Sequence, residues 1–211
     1  TGVDTRQKKA IPIGELHILL NKDPQSEKLR RTQDIANLLF QFCGMPFSDL
    51  AHLEKSNLKQ GLLKYNRLKT GTPMSIEVLE SAHNAIGGLY NKTDARSPDY
   101  PDYLFRILSG AYKRDEEEAY REYQSALRRF NNDLKSLSRK LRISSSVTSY
   151  TLRHSWATTA KYRGVPIEMI SESLGHKSIK TTQIYLKGFE LEERTKVNKL
   201  NYSYVCSFKM F

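Results

Sequence analysis

The chain has 211 residues, 34 Lys and Arg against 23 Asp and Glu, a formal charge of +11 and an isoelectric point near 9.6. Hydrophobic residues make up 38% and aromatics 10%, which is enough to bury a sizeable core and excludes a disordered chain. No apolar run reaches the roughly 18 residues of a membrane span, residues 1–11 are too polar for a secretory leader, and Cys43 and Cys206 form neither a CxxC pair nor a disulfide framework. The expectation is therefore a cytoplasmic, zinc-free protein away from membranes. The basic excess runs along the whole chain, and it favours a polyanion, of which nucleic acid is the commonest, as partner.

In chain order, residues 1–25 are expected to form an arm or linker and a first helix. Ser26 is placed to cap a helix reaching Cys43, with Ile35, Leu38, Leu39 and Phe42 at helical spacing and Gly44 as the stop. Pro46 opens a short helix carrying Phe47, Leu50 and Leu53. After Asn57 the period falls to two, and the Thr70–Pro73 turn separates two alternating runs. These predict a small antiparallel sheet over about 53–78, with 53–58 as its first strand. A helix is expected at 77–90 and a proline-containing loop at 94–102. A long charged helix follows at 115–141, acidic at its start and basic at its end, matching the helix dipole. Helices at 150–163, 166–174 and 178–186 end at or near Gly164, Gly175 and Leu186, and a weaker one spans 189–200. Alternation over Tyr202, Tyr204 and Cys206 predicts an extended tail at 201–211. The fold class is thus mainly α (α+β), a helical bundle with a small antiparallel sheet.

His17, His52, His83, His154 and His176 show no HExxH spacing, and neither a phosphate-binding GxxxxGK[ST] loop nor a GxSxG elbow is present. No metal and no cofactor are expected. The informative stretch is Tyr150 to Phe189. It holds Leu152-Arg153-His154-Ser155-Trp156-Ala157-Thr158, then Gly164-Val165 with Leu174-Gly175-His176, then Thr182-Gln183-Ile184-Tyr185. In order and spacing it resembles the C-terminal core of the tyrosine recombinases, the phage-integrase family. Upstream, Gly44-Met45-Pro46-Phe47-Ser48-Asp49-Leu50 is similar to the family's GLRxSEL segment, and Arg67-Leu68-Lys69-Thr70-Gly71 to its hairpin carrying a catalytic lysine. The likeness spans about residues 26–189 and is greatest to integrases of bacterial conjugative and mobilisable elements.

The resemblance implies a recombinase catalytic domain at 26–200, and a tail at 201–211 that docks on a neighbouring copy. It implies a separate core-binding domain beyond this stretch. Tyr185 would be the nucleophile, Arg153 the phosphate clamp, His176 a donor to the phosphate, Lys69 the acid for the leaving oxygen, and Asp49 a brace. Tyr150 stands where the family has a histidine, and Pro46 where it has its first arginine. Arg30, Arg31 and Arg67 are the candidate replacements for that lost charge. Arg67, Lys177, Lys180 and His154 are the expected DNA contacts. The implied partner is double-stranded DNA in a bacterial nucleoid, bound by a homotetramer assembled from free monomers. Two other readings stay open. The helices at 150–163 and 166–174 have helix-turn-helix spacing, which suits a regulator without chemistry, and a recombinase lacking its first arginine could bind DNA without cutting it.

Overall fold

The computed structural model describes residues 10–92, 101–110 and 116–186, together with 195, 198–203 and 207. Its elements in chain order are α1 (Ile13–Asn21), α2 (Glu27–Gln41), α3 (Phe47–Ala51), β1 (Leu58–Lys59), β2 (Leu62–Asn66), β3 (Pro73–Glu77), α4 (His83–Leu89), α5 (Glu116–Leu141), α6 (Ser149–Tyr162), α7 (Ile167–Ser173) and α8 (Ile179–Leu186). The three strands form one antiparallel sheet in the order β1-β2-β3. Leu63 faces Ile76 and Tyr65 faces Met74 across β2 and β3.

Helix α2 buries Ile35, Leu38 and Leu39, and α5 buries Phe130, Leu134, Leu137 and Leu141. These are single apolar stripes, the pattern that turns one helix face toward a core. The Phe47 and Phe130 rings stack at 4.8 Å between centroids and join α3 to α5. Helix α6 starts at Thr148, whose hydroxyl accepts from the Thr151 N–H at 3.1 Å while the Thr151 hydroxyl accepts from the Thr148 N–H at 2.8 Å. This reciprocal cap satisfies donors that a helix start otherwise leaves open.

The core has two parts. The larger runs from Ile11 through α1–α6 to Leu152, and a smaller one gathers Ala157, Ile170, Leu174 and Leu186 from α6, α7 and α8. Helix α6 belongs to both, and Arg153 follows Leu152 at the seam. The packing begins well before residue 26. Leu16 and Leu19 are buried, and the Ile11 N–H donates to the Ser155 hydroxyl at 2.8 Å.

Three boundaries differ from expectation. The first strand is Leu58–Lys59 rather than 53–58, because Lys55–Asn57 form a 3₁₀ turn and Leu53 and Glu54 instead meet Leu104 and Tyr103. The helix expected from residue 77 starts at His83, since β3 occupies the chain through Glu77 and a 3₁₀ turn follows at Glu80–Ala82. Residues 201–203 and 207 are helical rather than extended. The Ser203 hydroxyl donates to the Leu200 carbonyl at 2.9 Å, a bond that the helical turn supplies. Most of the loop expected at 94–102 lies outside the described residues, as do Tyr204 and Cys206.

Candidate active site

Three segments meet at the seam between the two core clusters. The first is the turn after α2. Cys43 and Gly44 adopt positive φ angles of 56° and 64° and end the helix. The Gly44 carbonyl then faces α6 and accepts from Arg153 Nη1 at 2.7 Å. A side chain at Gly44 would press on Trp156 Cβ at 3.2 Å, so the close approach of this turn to α6 needs glycine. The second segment is the β2–β3 turn, residues 67–72. The third is the Leu174–His176 turn between α7 and α8.

This last turn serves as a hub. The Leu174 carbonyl accepts from Arg153 Nη2 at 2.7 Å. The Gly175 carbonyl faces Arg67 Nη1 at 3.2 Å, the Thr70 hydroxyl at 3.3 Å and the Thr72 hydroxyl at 3.4 Å. One carbonyl oxygen has two lone pairs for these three donors, so each bond is long. His176 Nδ1 lies 2.8 Å from the Thr182 hydroxyl, and its Nε2 lies 3.3 Å from Arg153 Nη2. Leu174, Gly175 and His176 thus anchor Arg153, the hairpin turn and α8 respectively.

Arg153 and Arg67 are each 7% exposed, and Asp49 is 2% exposed. Arg67 Nε lies 3.6 Å from Asp49 Oδ2, an ion pair without hydrogen-bond contact. Burial raises the Asp49 carboxyl above its ordinary pKa, with Arg67 pulling the other way. Burial lowers Arg153 to about 10, and the neighbouring Arg67 adds to that shift. Two guanidinium groups are therefore held out of water against one reluctant carboxylate. A buried charge left short of counter-charge is costly, and an anion bound here would relieve that cost.

Tyr185, on α8, is packed among three rings edge to face. Centroids lie 5.1 Å away at His154, 5.8 Å at Tyr150 and 5.9 Å at His176. Burial raises its phenol above the ordinary tyrosine pKa, the neighbouring Tyr150 adds to this, and Arg153 and Arg67 oppose it. Burial, then Arg153, Arg67 and Lys69, lower His176 to about 4. His176 is thus neutral near neutrality. Arg153 can only donate, so Nε2 is the acceptor in this state and Nδ1 carries the proton that Thr182 accepts.

The structure brings together Asp49, Arg67, Tyr150, Arg153, His154, His176 and Tyr185. Lys69 is exposed on the hairpin turn, close enough to influence His176. Lys177 and Lys180 are exposed beside the hub. Arg67, expected as a DNA contact, is turned inward. Of the three candidate substitutes for the missing arginine, Arg30 pairs with Asp23 at 2.8 Å and Arg31 donates to the Arg106 carbonyl, so Arg67 is the one inside the site. The hub role of the Gly175 carbonyl, with Thr70 and Thr72, was missed. Only the neighbouring glycine and the Thr70-Gly71-Thr72 turn hinted at a close contact. Among the described residues no group of three or more His, Cys, Asp or Glu is placed to hold a metal ion, and no helix is long and apolar enough to cross a membrane.

A helical domain with a three-stranded sheet, holding buried arginines beside a half-buried tyrosine, is the architecture of a tyrosine recombinase catalytic domain. The phage integrase family model matches residues 15–191, and the chain belongs to that family. The tyrosine recombinase XerA of Pyrococcus furiosus is 32% identical over 152 residues, covering 71% of this chain and 48% of its own. A tyrosine recombinase of Pseudothermotoga lettingae is 26% identical over 184 residues, covering 83% and 56%. The chain thus spans about half the length of these curated relatives. The crystal structure of a XerA recombinase shares the fold with a TM-score of 0.64 at 20% identity, over 95% of this chain and 66% of the other. The Tn1549 transposon integrase in complex with a circular intermediate DNA shares it at 0.61 and 17%, over 94% and 68%.

Proposed function

We propose that the chain is the catalytic domain of a site-specific DNA recombinase that integrates and recombines a mobile element through a 3′-phosphotyrosine intermediate. The observation that carries this is the under-neutralised pair Arg153 and Arg67, buried with Asp49 and set beside Tyr185. A phosphodiester supplies the missing negative charge, and its phosphorus is what a phenol can attack.

In the reaction the Tyr185 Oη–P bond forms and the P–O5′ bond breaks. The energy of the phosphodiester is kept in the covalent ester, which a free 5′ hydroxyl later attacks. Arg153 offers a planar fork to the nonbridging oxygens. Arg67 replaces the charge that Pro46 lacks. Its long bond to the Gly175 carbonyl is easily exchanged for a phosphate oxygen, while Thr70 and Thr72 keep the turn in place. The phenol proton leaves toward the neutral His154 imidazole that borders the ring, while His176 donates to a nonbridging oxygen. Lys69 is the acid for the departing O5′. Tyr150 donates to the phosphate, and Asp49 braces Arg67. His154, Lys177 and Lys180 complete the DNA contacts. Homotetramers formed on DNA from free monomers belong to the same proposal. Leu200 and Tyr202, 69% and 72% exposed, suit a tail that packs on a neighbouring copy.

The test is denaturing electrophoresis after incubation with a nicked recombination site. The wild-type protein should leave a protein–DNA adduct. Tyr185→Phe should leave none while keeping DNA affinity, and Arg67→Ala should lose about a hundredfold or more in adduct rate, the scale of losing one oxyanion donor. Binding without any adduct would instead favour a regulator or a degenerate recombinase.

A further inference from the structure

Thr182 is fully buried on α8, three residues before Tyr185 and on the same face. Its hydroxyl meets His176 Nδ1 at 2.8 Å, while Nε2 on the opposite side of that ring faces Arg153 Nη2 at 3.3 Å. The same imidazole lies edge-on to the Tyr185 ring. His176 therefore sits between the cation clamp and the nucleophile's helix, and Thr182 is its hold on that helix.

We propose that Thr182 is a positioning residue, which fixes the ring orientation of His176 and through it locks the turn of α8 bearing Tyr185 onto the arginine clamp. The inference rests on the recombinase reading for its consequence in catalysis, but the bond itself does not. Which nitrogen of a histidine carries the proton is set by the partner of the other nitrogen. Here Arg153 takes the lone pair of Nε2, so the Nδ1–H donates to Thr182. When a phosphate oxygen displaces Arg153 from Nε2, that nitrogen must present a proton rather than a lone pair. A threonine hydroxyl both donates and accepts, so by rotating it holds Nδ1 in either tautomer. A side chain lacking the hydroxyl leaves Nδ1 unpartnered and the ring free to turn. Arg153, Arg67, Lys69 and the Tyr185 ring are the charged and titratable groups facing this imidazole, and Nδ1 is held by the Thr182 hydroxyl.

Two variants test it. Thr182→Val keeps the shape and removes the hydroxyl; Thr182→Ser keeps the hydroxyl and removes a methyl. On a nicked site, Thr182→Val should slow adduct formation by roughly tenfold or more, the usual scale for an outer partner that orients a histidine. Its affinity for the same DNA should stay near wild type, its Tm should fall by only a few degrees as one buried hydrogen bond is lost, and Thr182→Ser should recover most of the rate. Nitrogen-15 spectra of the imidazoles in the DNA-free protein should show the His176 proton on Nδ1 and protected from exchange. That protection should persist in Thr182→Ser and vanish in Thr182→Val. Equal exchange protection of the imidazole proton in Thr182→Val and the wild-type protein, a Thr182→Val protein that cleaves at the wild-type rate, or a Thr182→Ser protein as slow as Thr182→Val would each overturn the proposal. Failure of the wild-type protein to form any adduct would defeat the recombinase reading instead, and the imidazole spectra would still decide the Thr182 bond.

Discussion

His176 shows how one side chain's surroundings set its chemistry. Burial and three nearby cations hold its pKa near 4, against 6.5 for an unperturbed imidazole. The folded state therefore resists a proton that the unfolded chain takes readily. Between these two values the unfolded state binds more protons, so stability rises with pH across the window. The contribution is present above about pH 6.5 and is lost as pH falls toward 4. Urea midpoints measured from neutrality down to pH 4 should fall more steeply for the wild-type protein than for His176→Asn. Parallel curves would show that the imidazole is not held neutral by its neighbours. A bound phosphate should raise the His176 pKa, because its negative charge offsets Arg153 and Arg67.

At the scale of elements, what could be read from the chain was local. Helices α2, α5, α6, α7 and α8 lie within a residue or two of expectation because their apolar spacing, glycine stops, opening proline and end charges are contiguous signals. Leu53 and Glu54 were misread because their partners, Leu104 and Tyr103, are far away in sequence. The tail misled through a period-two pattern only a few residues long, which a helical turn overrode at 201–203. The motif around Tyr185 was legible as a resemblance, whereas the inward turn of Arg67 was not, since it depends on the hairpin docking against the Leu174–His176 turn. Gly175 makes that docking possible. Its φ is +64°, and an added Cβ would lie 2.8 Å from both Arg67 Cδ and Met74 Sδ. Gly175→Ala should destabilise the protein by about 1–3 kcal/mol through backbone strain alone, with the clash pushing the hairpin outward. Cleavage should fall further than thermal stability does, because Arg67 and Lys69 ride on the displaced turn. Equal Tm and equal adduct rate in the variant would remove the docking argument.

On the whole-molecule scale, the recombinase reading requires the net charge of +11 and the site at the seam of two clusters to act together on one polyanion. On the recombinase reading, the exposed Lys69, Lys177 and Lys180 around the buried Arg67 and Arg153 would meet flanking phosphates. A basic surface that is merely solvated would have no such dependence on a particular partner. Each phosphate neutralised releases condensed counterions, so the logarithm of affinity falls with the logarithm of salt by about 0.9 per contact on duplex DNA. Affinity for a duplex should therefore drop about tenfold or more between low and physiological salt. Lys177→Ala should shallow the slope by about one contact's worth while leaving the Tm unchanged, because the side chain is exposed and its loss removes only a phosphate partner. Fluorescence anisotropy across a salt series measures both slopes. Affinity independent of salt, or a Lys177→Ala slope equal to that of the wild-type protein, would place the DNA backbone elsewhere on the molecule than over this site.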